Sequence, residues 1–166
     1  MSISIFRCDD RLIHGQCIVG VLNDFHVKKI LLVDEFTATN PVIKSVYQMA
    51  VPPSVKVEVL RPSEAYEKIE KAIDNEISNL ILIKDPKIAF DIFQNVDGLK
   101  RELNIGPMSN RKDTVKATYF SNLLKEEADA IEGLYQLGVR VYFQQVTDQK
   151  EIEWKSIRDK VLKAFK

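Results

Sequence analysis

Two unbroken apolar runs, Ile30-Leu31-Leu32-Val33 and Leu80-Ile81-Leu82-Ile83, do most to limit what this chain can fold into. Charged or strongly polar residues flank both, and neither alternates with polar positions. A strand wetted on one side alternates; an unbroken run suits a parallel strand covered by helices on both faces. Residues 2–7 read as a first strand, with Ile3 and Ile5 on one face and Phe6 on the other. Residues 55–60, 115–120 and 139–146 are further strand candidates, rich in β-branched and aromatic side chains. Residues 103–105, stopped by Gly106, make a short one.

Helix signals fill the gaps. Residues 15–25 form the first crossover, and Asn40-Pro41 is an N-cap and first-turn pair opening a helix to about residue 50, where Pro52-Pro53 stops it. Pro62 and Pro86 open two more. Residues 126–137 end at Gly138, and Trp154, Ile157, Val161 and Phe165 make one stripe on a last helix. This alternation predicts a single α/β domain over residues 1–166: an open, mostly parallel sheet of about six to seven strands, with helices on both faces and right-handed crossovers. A chain of 166 residues can bury roughly 70% of its unfolded surface in one core.

Composition removes several functions. Lys+Arg and Asp+Glu number 24 each, so the chain lacks the cationic excess of an electrostatic nucleic-acid binder. No apolar stretch approaches the ~20 residues of a membrane helix, and the N-terminus has no signal-peptide pattern. Two cysteines, Cys8 and Cys17, make neither a disulfide framework nor a Cys-rich zinc site, which points to a reduced, cytoplasmic protein. No GxxxxGK or GxGxxG occurs, so no phosphate-cradling nucleotide loop is expected.

In an open parallel sheet, chemistry gathers outside the carboxyl ends of the strands. Four segments converge there: 7–14, 34–35, 84–85 and the loop from Asn104 to Gly106. The densest is Arg7-Cys8-Asp9-Asp10-Arg11-Leu12-Ile13-His14-Gly15-Gln16. It puts His14 at a helix start, where the macrodipole disfavours imidazolium and favours an anion. The neutral imidazole is the nucleophilic form. Once phosphorylated, its anionic group can meet the backbone N–H groups of Gly15, Gln16 and Cys17, and Gly15 clears the approach. Arg7 and Arg11 offer forked donors to phosphoryl oxygens, while Asp9 or Asp10 orients an arginine or one imidazole nitrogen. Asp34 and Lys84 are neighbours of second rank.

The blander reading of the same residues is a capped turn with surface ion pairs worth about 0–1 kcal/mol each. A receiver-like phosphoacceptor is a third reading, since an acidic pair follows the first strand and Lys84 ends a later one. It needs an aspartate beyond the third strand, and Val59-Leu60-Arg61-Pro62 offers none.

The segment from Arg7 to Gln16 resembles the active-site loop of the IIB components of the bacterial phosphoenolpyruvate-dependent sugar phosphotransferase system, in the mannose/fructose/sorbose family. That loop reads Arg-hydrophobic-Asp-Asp-Arg-Leu-Ile-His-Gly-Gln, and Cys8 stands at the usual aliphatic position. The resemblance continues through Leu31 to Glu35, Pro52-Pro53, Leu82 to Pro86, Leu103 to Gly106 with Met108, and Leu137 to Val139. It departs in lacking an aromatic residue in the first helix, in Cys17, and in Gly106-Pro107 where two glycines are common.

The resemblance implies a protein-histidine–sugar phosphotransferase. His14 would accept a phosphoryl group from a phosphohistidine on a IIA partner and pass it to a sugar bound by the membrane IIC and IID subunits. Arg11, Arg7 and Asp10 would serve as catalytic groups, with no metal or cofactor and no nucleic acid. The protein would sit at the inner face of the membrane through its permease subunits, and self-association is left open. A non-catalytic regulatory module that keeps the loop as a protein-binding surface is the alternative on the same fold.

Overall fold

The computed structural model describes residues 2–166, apart from the side chains of Gln16 and Cys17. Its main sheet has seven strands in the order β3-β2-β4-β1-β5-β8-β9. Six pair in parallel: β1 (Ile3–Cys8), β2 (Lys29–Val33), β3 (Lys56–Leu60), β4 (Asn79–Ile83), β5 (Glu102–Ile105) and β8 (Arg140–Phe143). The two-residue β9 (Ile152–Glu153) closes one edge antiparallel to β8. The mostly parallel α/β architecture expected from the apolar runs is the one found.

The strand pleat sends alternate residues to two cores. Phe6, Cys8, Leu31, Val33, Ile81 and Ile83 face one side, where α4 (Pro62–Ile73), α5 (Pro86–Asn95), α6 (Lys125–Gln136) and α7 (Trp154–Ala164) cover them. Ile5, Ile30, Leu32, Leu80 and Leu82 face the other, under α1 (Gly15–Asp24), with α2 (Glu35–Ala38) and α3 (Pro41–Met49) along its margin. Both sides of β2 and β4 are buried, which is why their sequences show no alternation. Each such Leu or Ile stabilises by about 1.5–3 kcal/mol.

The helix starts follow their capping chemistry. The side chain of Asn40 accepts from Ile43 N at 3.3 Å, and that of Asp85 from Lys87 N at 2.9 Å. Proline occupies the first turn of α3, α4 and α5, where its missing N–H costs nothing. Gly138 takes φ +83° just beyond α6, as a helix-terminating glycine does.

Beyond β9, which no strand candidate covered, three features differ from the sequence reading. The strand expected at 115–120 does not join the main sheet. Its first part, β6 (Val115–Thr118), turns at Tyr119-Phe120 and pairs with β7 (Ser121–Leu123) as a separate antiparallel ribbon. The strand expected to run to 146 ends at Phe143, because the following carbonyls turn inward to accept from Arg7. The short α2 had no apolar periodicity to announce it. Asp34 makes it by accepting from Thr37 N at 3.0 Å and from Thr37 Oγ1 at 2.7 Å.

β1 and β4 lie side by side at the centre, and the chain runs from β1 to β2 and β3 in one direction and from β4 to β5 and β8 in the other. The crevice of a parallel sheet lies at such a switch point, beyond the strand carboxyl ends.

Candidate functional site

The loop between β1 and α1 is pinned at its start. Asp9 N donates to Ile83 O at 2.8 Å, which carries the chain off the sheet beside β4. Leu12 adopts φ +56°, unusual for a residue with a Cβ, and Gly15 adopts φ +44°. Burial of Leu12 and Ile13 beneath α1 offsets the cost of that turn. The result throws His14 back over Asp9. His14 is the N-cap of α1, in extended conformation, and its side chain makes no cap bond. It turns to the carboxylate instead, with Nε2 and Asp9 Oδ2 2.8 Å apart.

Asp9 is 1% exposed and takes three contacts: His14 Nε2, the backbone N of Arg11 at 3.1 Å on Oδ1, and Arg7 Nη2 at 3.5 Å on Oδ2. An ionised carboxylate only accepts, so this contact calls for an Nε2–H donor, and the neutral ring that makes it carries its lone pair on Nδ1. The first-turn N–H groups of α1 begin at the next residue with no carbonyl four residues back to take them. The side chains of Gln16 and Cys17 lie outside the described residues, so their part rests on the helix backbone alone.

The two arginines of the motif have opposite settings. Arg7 is 2% exposed. Its Nη1 donates to Asn104 Oδ1 and to Gln144 O at 3.1 Å, and Nη2 donates to Gln145 O at 2.9 Å. Gly106 makes room for it: a Cβ there would stand 2.4 Å from Nη2 and 2.7 Å from Cζ. Arg7 therefore lies beneath the loop, behind Asp9. Arg11 is exposed, and no hydrogen bond or ion pair engages its guanidinium among the described residues.

The aspartates also divide their work. The carboxylate that reaches the ring is that of Asp9. Asp10, one of the two aspartates expected to orient an arginine or an imidazole nitrogen, holds the segment after β5 instead: Oδ2 accepts from Ser109 N at 2.6 Å and from Ser109 Oγ, and Asp10 N donates to Pro107 O at 3.2 Å. The proline of the Gly106-Pro107 departure thus keeps the acceptor that this contact uses. Asp34 caps α2 and stands 3.5 Å from Lys84 Nζ, which lies 5.5 Å over the Phe36 ring. Asp34 and Lys84 form their own pair beside the site and make no contact with His14 among those found.

Several participants have no signature in the sequence. Tyr47, from α3, reaches the carbonyl of Arg11 at 3.4 Å, and burial with the charges of Asp34 and Asp9 raises its phenol pKa. Arg111 forks onto buried Glu127 at 3.1 and 2.8 Å and onto Asn122 O at 3.1 Å, fixing the segment that carries Ser109. Burial, then the charges of Asp85 and Asp9, pushes the Cys8 thiol well up, so it stays a neutral core residue beside Met108. Among the described residues no three His, Cys, Asp or Glu side chains are placed to hold a metal ion. Among the described residues no helix is long and apolar enough to cross a membrane.

The family model described as PTS system sorbose subfamily IIB component matches residues 3–165. The PTS system sorbose-specific EIIB component of Lacticaseibacillus casei is 26% identical over 141 residues, 85% of each chain. The PTS system mannose-specific EIIAB component of Escherichia coli K12 is 23% identical over 166 residues, covering 97% of this chain and 50% of that longer one. Among solved structures, the IIBSor domain of the sorbose permease from Klebsiella pneumoniae matches with a TM-score of 0.85 at 23% identity, over 96% of this chain and 98% of that one. At that identity the likeness speaks for the fold.

Proposed function

The chain belongs to the sorbose-subfamily IIB components of the sugar phosphotransferase system, a phosphotransfer family, and from that premise we propose that His14 is its phosphoryl carrier. His14 takes the group from a phosphohistidine on a IIA protein and delivers it to a sugar held by the membrane IIC and IID subunits. Residues 1–166 act as one IIB unit, held at the inner face of the membrane by those subunits.

The observation that carries this reading is the 2.8 Å contact between His14 Nε2 and buried Asp9 at the open end of α1. It leaves Nδ1 as the nucleophile. The Nδ1 lone pair attacks phosphorus in line, the bond from phosphorus to the donor nitrogen breaks, and that electron pair returns to the donor ring. Positive charge then grows on the His14 imidazole, where Asp9 meets it through Nε2–H. The phosphoryl oxygens carry spreading negative charge, which Arg11 and the first-turn amides from Gly15 to Cys17 meet. Such transfers depend on positioning and on fixed donors rather than on further covalent help.

Arg7 is a positioning residue in this scheme. It holds Asp9, and Asn104, Gly106 and the carbonyls of Gln144 and Gln145 hold Arg7. Asp10 positions the Ser109 segment beside the loop. Incubation with the phosphorylated IIA donor checks the assignment: wild-type protein gains an acid-labile, base-stable label, and His14→Ala gains none. A label that persists in His14→Ala contradicts it.

A further inference from the structure

The neighbouring strands β2, β4 and β1 end on one row. Cys8 stands opposite Ile83, and Leu32 opposite Leu82. The residues that follow, Asp34 from β2, Lys84 from β4 and Asp9 from β1, therefore lie level with one another. Val33, Ile83 and Cys8 face the side that α4 to α7 cover, and the pleat turns the next residue of each strand to the α1 side, where His14 caps its helix. Lys84 occupies the middle of the row, one strand spacing of about 4.8 Å from either aspartate. Asp9 N bonded to Ile83 O holds the inner pair in place. Tyr47 lies close enough to both carboxylates for their charges to raise its phenol pKa.

A cation between two carboxylates has two partners to choose from, and Lys84 leans loosely on the outer one. Its Nζ stands 3.5 Å from Asp34 Oδ2, too long for a strong hydrogen bond, and 5.5 Å over the exposed Phe36 ring. Asp34 Oδ2 already accepts from Thr37 N at 3.0 Å and Thr37 Oγ1 at 2.7 Å. The Lys84 side chain is 39% exposed, so the pair is solvent-screened and weakly held. Asp9 already takes His14, Arg7 and the amide of Arg11. While His14 is unmodified, neither carboxylate gives Lys84 a firm seat.

A phosphoryl group on His14 brings anionic oxygens to this end of the row, and they are better acceptors than a carboxylate already in use. Resting on the phosphoryl-acceptor reading above, we propose that Lys84 is a second cation of the phosphoryl site, leaving Asp34 to donate to an oxygen of the group on His14. It remains an ammonium throughout. The bonds that break and form are those from phosphorus to the two histidine nitrogens, and Lys84 gives up no proton. A compact charge on a flexible stem suits a group that has to be held briefly and then released, whereas Arg7, locked under the loop, cannot follow it.

The test uses the whole chain with Lys84→Met and Lys84→Arg, and with Lys87→Met as the control for losing a nearby exposed lysine. Asp34→Asn removes the resting carboxylate and keeps a capping side chain on α2. Melting curves verify that each folds. At saturating phosphorylated IIA, labelling of His14 slows about tenfold in Lys84→Met and comes back to within about threefold of wild type in Lys84→Arg, while the donor concentration for half-maximal rate stays within about twofold. Phosphorus NMR of the labelled protein reads the contact itself. A neighbouring cation favours the phosphoryl dianion, so its titration midpoint rises by about half a unit or more in Lys84→Met and not in Lys87→Met. Asp34→Asn labels no more slowly than wild type.

If either the rate or the midpoint is unmoved in Lys84→Met, while wild type is labelled at His14, the proposal is overturned and the carrier reading stands. A loss in Asp34→Asn equal to that in Lys84→Met also overturns it, since Lys84 would then act only by propping Asp34 and α2. A wild type that is never labelled at His14 removes the carrier reading, and the role of Lys84 falls with it.

Discussion

The underside of the β1–α1 loop and its open rim hold the same kinds of residue in opposite conditions. Beneath the loop, Arg7 and Asp9 are buried, and their charges are spent on fixed partners: each other, Asn104, two carbonyls and His14. On the rim, Arg11 is exposed and engages nothing among the described residues. A buried, fully bonded guanidinium is a structural part that fixes geometry, whereas a solvated one at a helix start is available to an incoming anion. The motif reads as one string of charges, but it splits into a frame and a working edge.

Substitutions separate the two, and the largest effect falls on the frame. Arg7→Met leaves Asp9 without its buried cation and strands the carbonyls of Gln144 and Gln145. It should cost about 3–5 kcal/mol in denaturant unfolding and slow His14 labelling as well. Arg11→Ala should do the reverse, lowering the labelling rate by about 10²–10³-fold, as loss of a charge-stabilising donor does, with the denaturation midpoint unmoved. Arg11→Lys should recover only part of that rate, because the fork is lost. An Arg11→Ala variant that unfolds early would erase the distinction.

Smaller effects sharpen the boundary. Gly106→Ala forces a methyl group against the Arg7 guanidinium, which cannot yield without breaking its bonds. The cost should be about 1–3 kcal/mol of stability, with a slowed transfer rate as the sign that the frame has shifted. Last comes a charge far from the site. The hydrogen bond from Arg158 holds the Glu132 carboxyl down at about 2, helped by Gln136 and Trp154. A depressed carboxyl contributes stability above its unfolded pKa, and that contribution is lost as pH falls from about 4.5 towards 2. Glu132→Gln should flatten the acid limb over that window, by about 1 kcal/mol once solvent screening is allowed for, and leave labelling at neutral pH unchanged.

The elements that sequence reading found best are those whose cause is local. The runs of β2 and β4 are apolar throughout because both faces are covered, and the starts of α3, α4 and α5 are announced by proline. What it missed depends on partners far along the chain. That Arg7 lies under the loop follows from Asn104, Gly106 and two carbonyls near residue 145. The choice of Asp9 over Asp10 as the partner of the ring follows from Ser109, which claims Asp10. Two adjacent aspartates are equivalent in a string of letters; Ser109, far along the chain, and the turn at Leu12 make them different.

The central claim is that Asp9 fixes the Nε2 proton and so delivers Nδ1 to phosphorus. Long-range proton–nitrogen NMR on histidine-labelled protein, recorded before and after reaction with the phosphorylated IIA donor, tests it directly. The expected spectrum shows an Nε2–H tautomer before transfer and phosphorus bonded to Nδ1 of His14 afterwards. A phosphoryl group on Nε2, or no phosphorus–nitrogen coupling at His14, would contradict the account.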